Sequence, residues 1–178
     1  MLVLGDSLSA EYGLRRGSGW VELMRERLTR ERPGTAVVNA SISGETTSGG
    51  RSRVADLLAR HRPSVLIVEL GGNDALRGFD LALTERNLRE IVALARQAGA
   101  RPLLVGVQVP PNYGRAYTER FAGVFRDVAR LEKVPLVPFL LEGFADRLDH
   151  FQPDRIHPNE RAQPHMLENV WPAVVRLL

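Results

Sequence analysis

The chain has 178 residues, of which 44% are hydrophobic and 25% charged, the balance of an ordinary globular protein with one core. Cysteine is absent, so disulfides, thiolate nucleophiles and cysteine-held metals are excluded. The net charge is only +3 but the pI is near 9.9, because every basic residue except Lys133 is arginine; acidic and basic side chains alternate along the helices, so no nucleic-acid footprint is expected.

In chain order, short runs that are apolar on both faces alternate with amphipathic stretches. The strand-like runs are 2–4, 36–40, 65–70, 103–109 and 136–139. Helical patterns cover 20–30, 47–60, 84–98, 115–132 and 160–178, with Thr84 read as the cap of the third. Pro33-Gly34, Arg62-Pro63 and Gly99 with Pro102 punctuate them. This alternation predicts one α/β domain over 1–178, a three-layer α/β/α sandwich around a flavodoxin-like, five-stranded parallel sheet. No apolar run is long enough to span a bilayer, so no stable membrane insertion is expected. Met1 leads straight into Leu2, Val3 and Leu4, which reads as a start without a leader or one already trimmed.

Ligands of such sheets bind beyond the carboxyl ends of the strands, and here those ends collect glycine and small polar residues. Gly5-Asp6-Ser7 follows the first strand, Ser43-Gly44 the second, Gly71-Gly72-Asn73-Asp74 the third, and Pro110 to Gly114 the fourth. A serine hydroxyl needs a neighbouring base to become a nucleophile. Of four histidines, His61 reads as a surface residue at a helix end, and His165 as a packed or exposed member of the last helix. His157 follows Asp154 by three residues, a spacing that lets a carboxylate orient the ring, with Pro158 placed to open a helix. The same spacing serves as a simple cap, so its meaning depends on the company it keeps.

That company is extensive. The runs "VLGDSLSAEYG", "VVNASISGETTSGG", "VELGGNDALRGF", "VPPNYGRAY", "VPLVPF" and "IHPNERAQP" resemble the SGNH/GDSL hydrolases, in particular their thioesterase I/arylesterase/lysophospholipase branch. The resemblance spans nearly the whole chain. It implies a serine hydrolase of carboxylic esters and acyl thioesters, aryl esters, acyl-CoA and lysophospholipids among them, working through an acyl-enzyme without metal or cofactor. It further implies Ser7 as nucleophile, His157 as base, Asp154 as the carboxylate behind it, and an oxyanion hole of Ser7, Gly44 and Asn73. The residue chemistry agrees: Gly44 offers an unobstructed N–H, and Asn73 a neutral donor on a flexible Gly-Gly turn. Leu76, Phe79, Val109, Pro110, Tyr113 and Ile156 are candidates for an acyl groove, with Phe139 nearby. A periplasmic or secreted setting is implied, as is a small-molecule substrate; a monomer is expected.

Asp6 and Asp74 are read as turn and cap acceptors, and Glu69 as a buried side chain with a structural partner such as an arginine. Glu11 stands where the resembled branch carries a small residue. A helix after Ser7 would put Glu11 on the same face, where an acid narrows the site or repels anionic leaving groups; solvent exposure is the alternative. Two rival readings exist. His150, Asp154 and His157 have a spacing suited to a metal, but no fourth ligand accompanies them. A non-catalytic binding module lacks support, since neither a phosphate loop nor a dinucleotide fingerprint is present.

Overall fold

A computed structural model describes residues 1–178. The strands are β1 (Leu2–Gly5), β2 (Val38–Asn39), β3 (Val65–Glu69), β4 (Arg101–Val105) and β5 (Leu136–Val137). The helices are α1 (Trp20–Glu31), α2 (Thr47–His61), α3 (Gly72–Leu76), α4 (Leu81–Gln97), α5 (Arg115–Glu132) and α6 (Gln163–Arg176). All strands are parallel, in the order β2-β1-β3-β4-β5 that defines the flavodoxin-like sheet.

β1 and β3 are buried at every residue, which is why they read as continuous apolar runs: helices cover both faces. The crossovers put α1 on one face, where it packs on α6, and α2, α4 and α5 on the other, packed in series. The winding reverses beside β1, so a crevice opens between the ends of β1 and β3.

Several element boundaries differ from the sequence expectations, each for a local reason. Helix α4 begins at Leu81, capped by Asp80, whose carboxylate accepts from the Ala82 N–H at 2.9 Å. Thr84 is therefore not a cap; it is a fully buried polar member of the inner face, with Oγ1 3.4 Å from Asp74 Oδ1. β4 starts earlier than expected and ends at Val105; the next residue, Gly106, lies so close to the Pro138 carbonyl that no side chain fits there. β2 is only two residues by ladder, yet its backbone continues to pair with β1: Ala40 N–H donates to Val3 O and Ile42 N–H to Gly5 O. No helix follows Ser7 directly; residues 7–13 form successive turns before α1. Pro158 opens no helix either. It bridges back to Phe151, and α6 begins only at Gln163.

Candidate active site

The turn after β1 is set by its backbone. Ser9 and Ala10 N–H groups donate to Asp6 O, and Leu8 N–H donates to Asp6 Oδ1 at 3.0 Å. This closes a tight turn that leaves Ser7 half-buried at the sheet edge. The Ile42–Gly5 bond carries the next loop alongside, and Asn39 fastens the two by donating from Nδ2 to Ser9 O at 2.8 Å. In that loop Gly44 has φ +79°, a left-handed conformation that disfavours any side chain. Arg77 holds it by donating to Gly44 O at 3.0 Å, a contact with no cue in the sequence.

Asn73 does not sit on a flexible turn. Gly71, at φ +118°, reverses the chain after β3, and Asn73 then belongs to the short helix α3. Its amide Nδ2 donates to Asp6 Oδ2 at 3.0 Å, which leaves a second amide hydrogen unused. The backbone N–H groups of Ser7 and Gly44 have no acceptor within the protein. Three neutral donors without partners therefore flank the β1–β3 crevice.

The histidine and its carboxylate come from the loop before α6. His157 Nε2 lies 2.9 Å from Ser7 Oγ, and His157 Nδ1 lies 2.7 Å from Asp154 Oδ2. Asp154 Oδ1 accepts the backbone N–H groups of Ile156 and His157 at 2.9 and 3.0 Å. Between them Arg155 adopts φ +59°, a strained turn that folds the carboxylate back under its own ring. Partial burial pushes the Asp154 carboxyl up, but the two backbone donors and the His157 ring outweigh it and hold the carboxyl below its usual range. The carboxylate is thus ionised wherever the imidazole can act as a base.

Tyr12 is a neighbour that sequence reasoning missed. Its ring centroid lies 4.4 Å from that of His157, with the two planes inclined at 41°. Gln152 ties the two loops together, donating to Tyr12 O at 2.8 Å and Pro158 O at 3.1 Å. A lone tyrosine in a turn gives no signal of such a contact.

A cavity of about 880 Å³ adjoins Ser7, Asn73 and His157. Its size is that of a pocket for a drug-sized or acyl-bearing molecule. Among the groove candidates, Leu76, Val109, Pro110 and Ile156 line it, together with Phe139 and Leu8. Phe79 and Tyr113 do not. Both are exposed, and Tyr113 instead turns its hydroxyl toward Leu76 O at 3.5 Å. Gly44 and Asp154 are also absent from the lining, since one presents backbone and the other stands behind the histidine.

Two further expectations are corrected, and the rival metal reading finds no cluster of ligands. Glu11 neither narrows the site nor faces solvent freely: at φ +59° it turns into the following loop, where its Oε1 accepts Gly19 N–H at 2.7 Å and Gly17 N–H at 3.0 Å. Glu69 has no arginine; it accepts from Ser9 Oγ at 2.7 Å and lies against Asp6. His150 is buried beside Phe144 and His165, and no three metal-ligating side chains gather around His150, Asp154 and His157 or elsewhere. Asp74 does act as a cap acceptor, taking Thr47 N–H at the start of α2 at 2.9 Å.

Residues 3–163 match the GDSL-like lipase/acylhydrolase family. The chain is 49% identical over its full length to "Esterase TesA" of Pseudomonas aeruginosa, covering 89% of that protein. It is 43% identical over 94% of its length to the Escherichia coli "Thioesterase 1/protease 1/lysophospholipase L1", covering 79% of that protein. Among solved structures, a psychrotrophic esterase EstA of Pseudoalteromonas inhibited by monoethylphosphonate superposes with a TM-score of 0.93. Its sequence is 36% identical, with 98% of this chain and 96% of that one covered.

Proposed function

The chain belongs to the GDSL-like lipase/acylhydrolase family, and from that premise we propose that it hydrolyses carboxylic esters and acyl thioesters through an acyl-enzyme on Ser7. The observation that carries the reading is the continuous chain Ser7 Oγ–His157 Nε2, His157 Nδ1–Asp154 Oδ2, at 2.9 and 2.7 Å. In this mechanism Ser7 attacks the acyl carbonyl as His157 takes its proton. The tetrahedral oxyanion meets the N–H groups of Ser7 and Gly44 and the free amide hydrogen of Asn73. His157 then returns the proton to the departing alcohol or thiol. Water, deprotonated by the same ring, attacks the acyl-serine and releases the acid. Asp154 keeps the ring in the tautomer with Nε2 bare and stabilises the imidazolium.

The apolar cavity walls, with Leu8, Leu76 and Val109 beside the nucleophile, suit an acyl chain rather than a sugar. Names borne by the relatives point to aryl esters, acyl thioesters and lysophospholipids as the substrate classes. The deciding experiment is labelling with a fluorophosphonate. Wild-type enzyme takes up one probe per chain and loses esterase activity in step, while Ser7→Ala takes up none; active enzyme that resists the probe would sink the proposal. A panel of p-nitrophenyl esters beside matched acyl-CoA substrates then ranks the leaving groups.

No helix is long and apolar enough to cross a membrane. We place the enzyme's work in the periplasm or outside the cell, from the family resemblance, and as a monomer, since one chain supplies every residue of the site. Cell fractionation and size-exclusion chromatography of the native protein check the two statements.

A further inference from the structure

Two carboxyls lie buried together beneath the nucleophile turn, and hydrolysis as described uses neither. Glu69, at the end of β3, is 0% exposed and Asp6 is 2% exposed. Asp6 N–H donates to Glu69 Oε2 at 3.4 Å, which brings the two carboxyls close enough for each to act on the other's ionisation. No arginine or lysine reaches either one. Two negative charges in such a place are mutually destabilising, so one carboxyl holds a proton.

Their surroundings identify which. Asp6 has the partners of an anion: Leu8 N–H donates to Oδ1 and Asn73 Nδ2 to Oδ2, each at 3.0 Å, and the charge of a protonated His157 favours its ionised form. Glu69 receives both its donors on Oε2, and no donor reaches its buried Oε1. A bare carboxylate oxygen in that position is costly beside a second anion, and a proton on Glu69 removes the charge. Complete burial and the charge of Asp6 act in the same direction on Glu69, pushing its carboxyl well up.

The consequence reaches the oxyanion hole. An ionised Asp6 can only accept, so it compels the Asn73 amide to face it with nitrogen, which directs the second N–H of that nitrogen to the crevice. A protonated Asp6 could donate to the Asn73 oxygen instead, and the amide could then turn over and present oxygen to the oxyanion. Resting on the hydrolase reading above, we propose that Glu69 and Asp6 are positioning residues: Glu69 carries the pair's proton, keeps Asp6 an acceptor, and so fixes Asn73 as an oxyanion donor. Glu69 on β3 and His157 before α6 are the titratable groups facing Asp6; Leu8, Ser9 and Asn73 are neutral. Burial pushes Asp6 up to about 6, with the bonds from Leu8 and Asn73 opposing it, so Asp6 itself takes a proton below that pH and turnover falls there.

The test is a double-mutant cycle read by kcat and KM on p-nitrophenyl butyrate. Asp6→Asn and Asn73→Ala each lower kcat by about 10²-fold with KM little changed, the usual effect of losing one oxyanion donor. The double variant is no worse than Asn73→Ala alone, which a general structural role for Asp6 would not produce. Glu69→Leu lowers kcat and moves the acid limb of its pH profile upward, and Glu69→Gln, a neutral donor of the same shape, restores both. Multiplying losses in the double variant, or a Glu69→Gln as impaired as Asp6→Asn, would overturn the proposal. Carboxyl ¹³C NMR of the glutamate-labelled wild-type enzyme stands apart from catalysis and from the folding of any variant. It shows one glutamic acid protonated at pH 7, and the absence of that signal refutes the assignment whatever Ser7 does.

Discussion

Replacing Asp154 by asparagine is the most informative single change at the site, because it alters a proton's address while keeping the shape. Oδ1 of Asp154 accepts two backbone N–H groups, from Ile156 and His157. An asparagine there must keep its carbonyl on those donors. Turning it over would forfeit two hydrogen bonds at about 1 kcal/mol each, so about 2 kcal/mol, or about 30-fold, holds it in place. The amide NH₂ is then aimed at His157 Nδ1, which must become an acceptor. The ring proton moves to Nε2, facing Ser7 Oγ, and the base is lost. The corresponding change in serine proteases costs about 10⁴ in turnover, about 5.5 kcal/mol. Asp154→Ala is the instructive partner: the side chain is 37% exposed, so water can enter and the ring can choose its tautomer. Its loss is expected to be smaller, about 10²-fold. Steady-state kinetics on p-nitrophenyl butyrate at pH 8 measures both, and ¹⁵N NMR of the imidazole reads the tautomer. An Asp154→Asn enzyme within tenfold of wild type, or one whose Nε2 is unprotonated, would refute the reasoning.

Two other outcomes are expected away from the triad. Glu11→Ala removes the carboxylate that gathers Gly17 and Gly19 N–H groups but leaves the positive φ; it should lose about 2 kcal/mol, and so about 4–8 °C of melting temperature by calorimetry, with kcat/KM unchanged on charged and neutral esters alike. A specificity change between those esters would return Glu11 to the site. Leu76→Trp narrows the cavity beside Asn73, and each methylene it excludes should cost about 0.8 kcal/mol, about fourfold in kcat/KM, when p-nitrophenyl esters of increasing length are compared. An unchanged length profile would show that acyl chains run elsewhere.

What could be read from the sequence was whatever depends on neighbours in the chain. The strands of the sheet centre are apolar on both faces, so β1 and β3 were legible, and Arg115–Glu132 was matched at both ends by amphipathic period and the preceding Gly114. Asp154 and His157 meet through a four-residue turn, and their pairing was visible for the same reason. The failures involve partners distant in sequence. Thr84 resembled a cap because threonine suits both caps and buried bonds, and only Asp74 across the turn decides between them. Glu69 seemed to need an arginine because a buried carboxylate usually does; that it meets another carboxyl, 63 residues earlier, has no local trace. Phe79 and Tyr113 flank lining residues in sequence, but the turns after α3 and before α5 point them outward.

The contact that completes the proposed catalytic row joins residues 150 positions apart, from the first turn of the chain to its last loop. Every strand and the return to the far face must be in place before the base can meet the hydroxyl, so a partly built or partly opened molecule has no reactive serine. Recovery of esterase activity during refolding is therefore a clock for the final closing event and not for collapse. A chain of this topology stays chemically silent until it is finished.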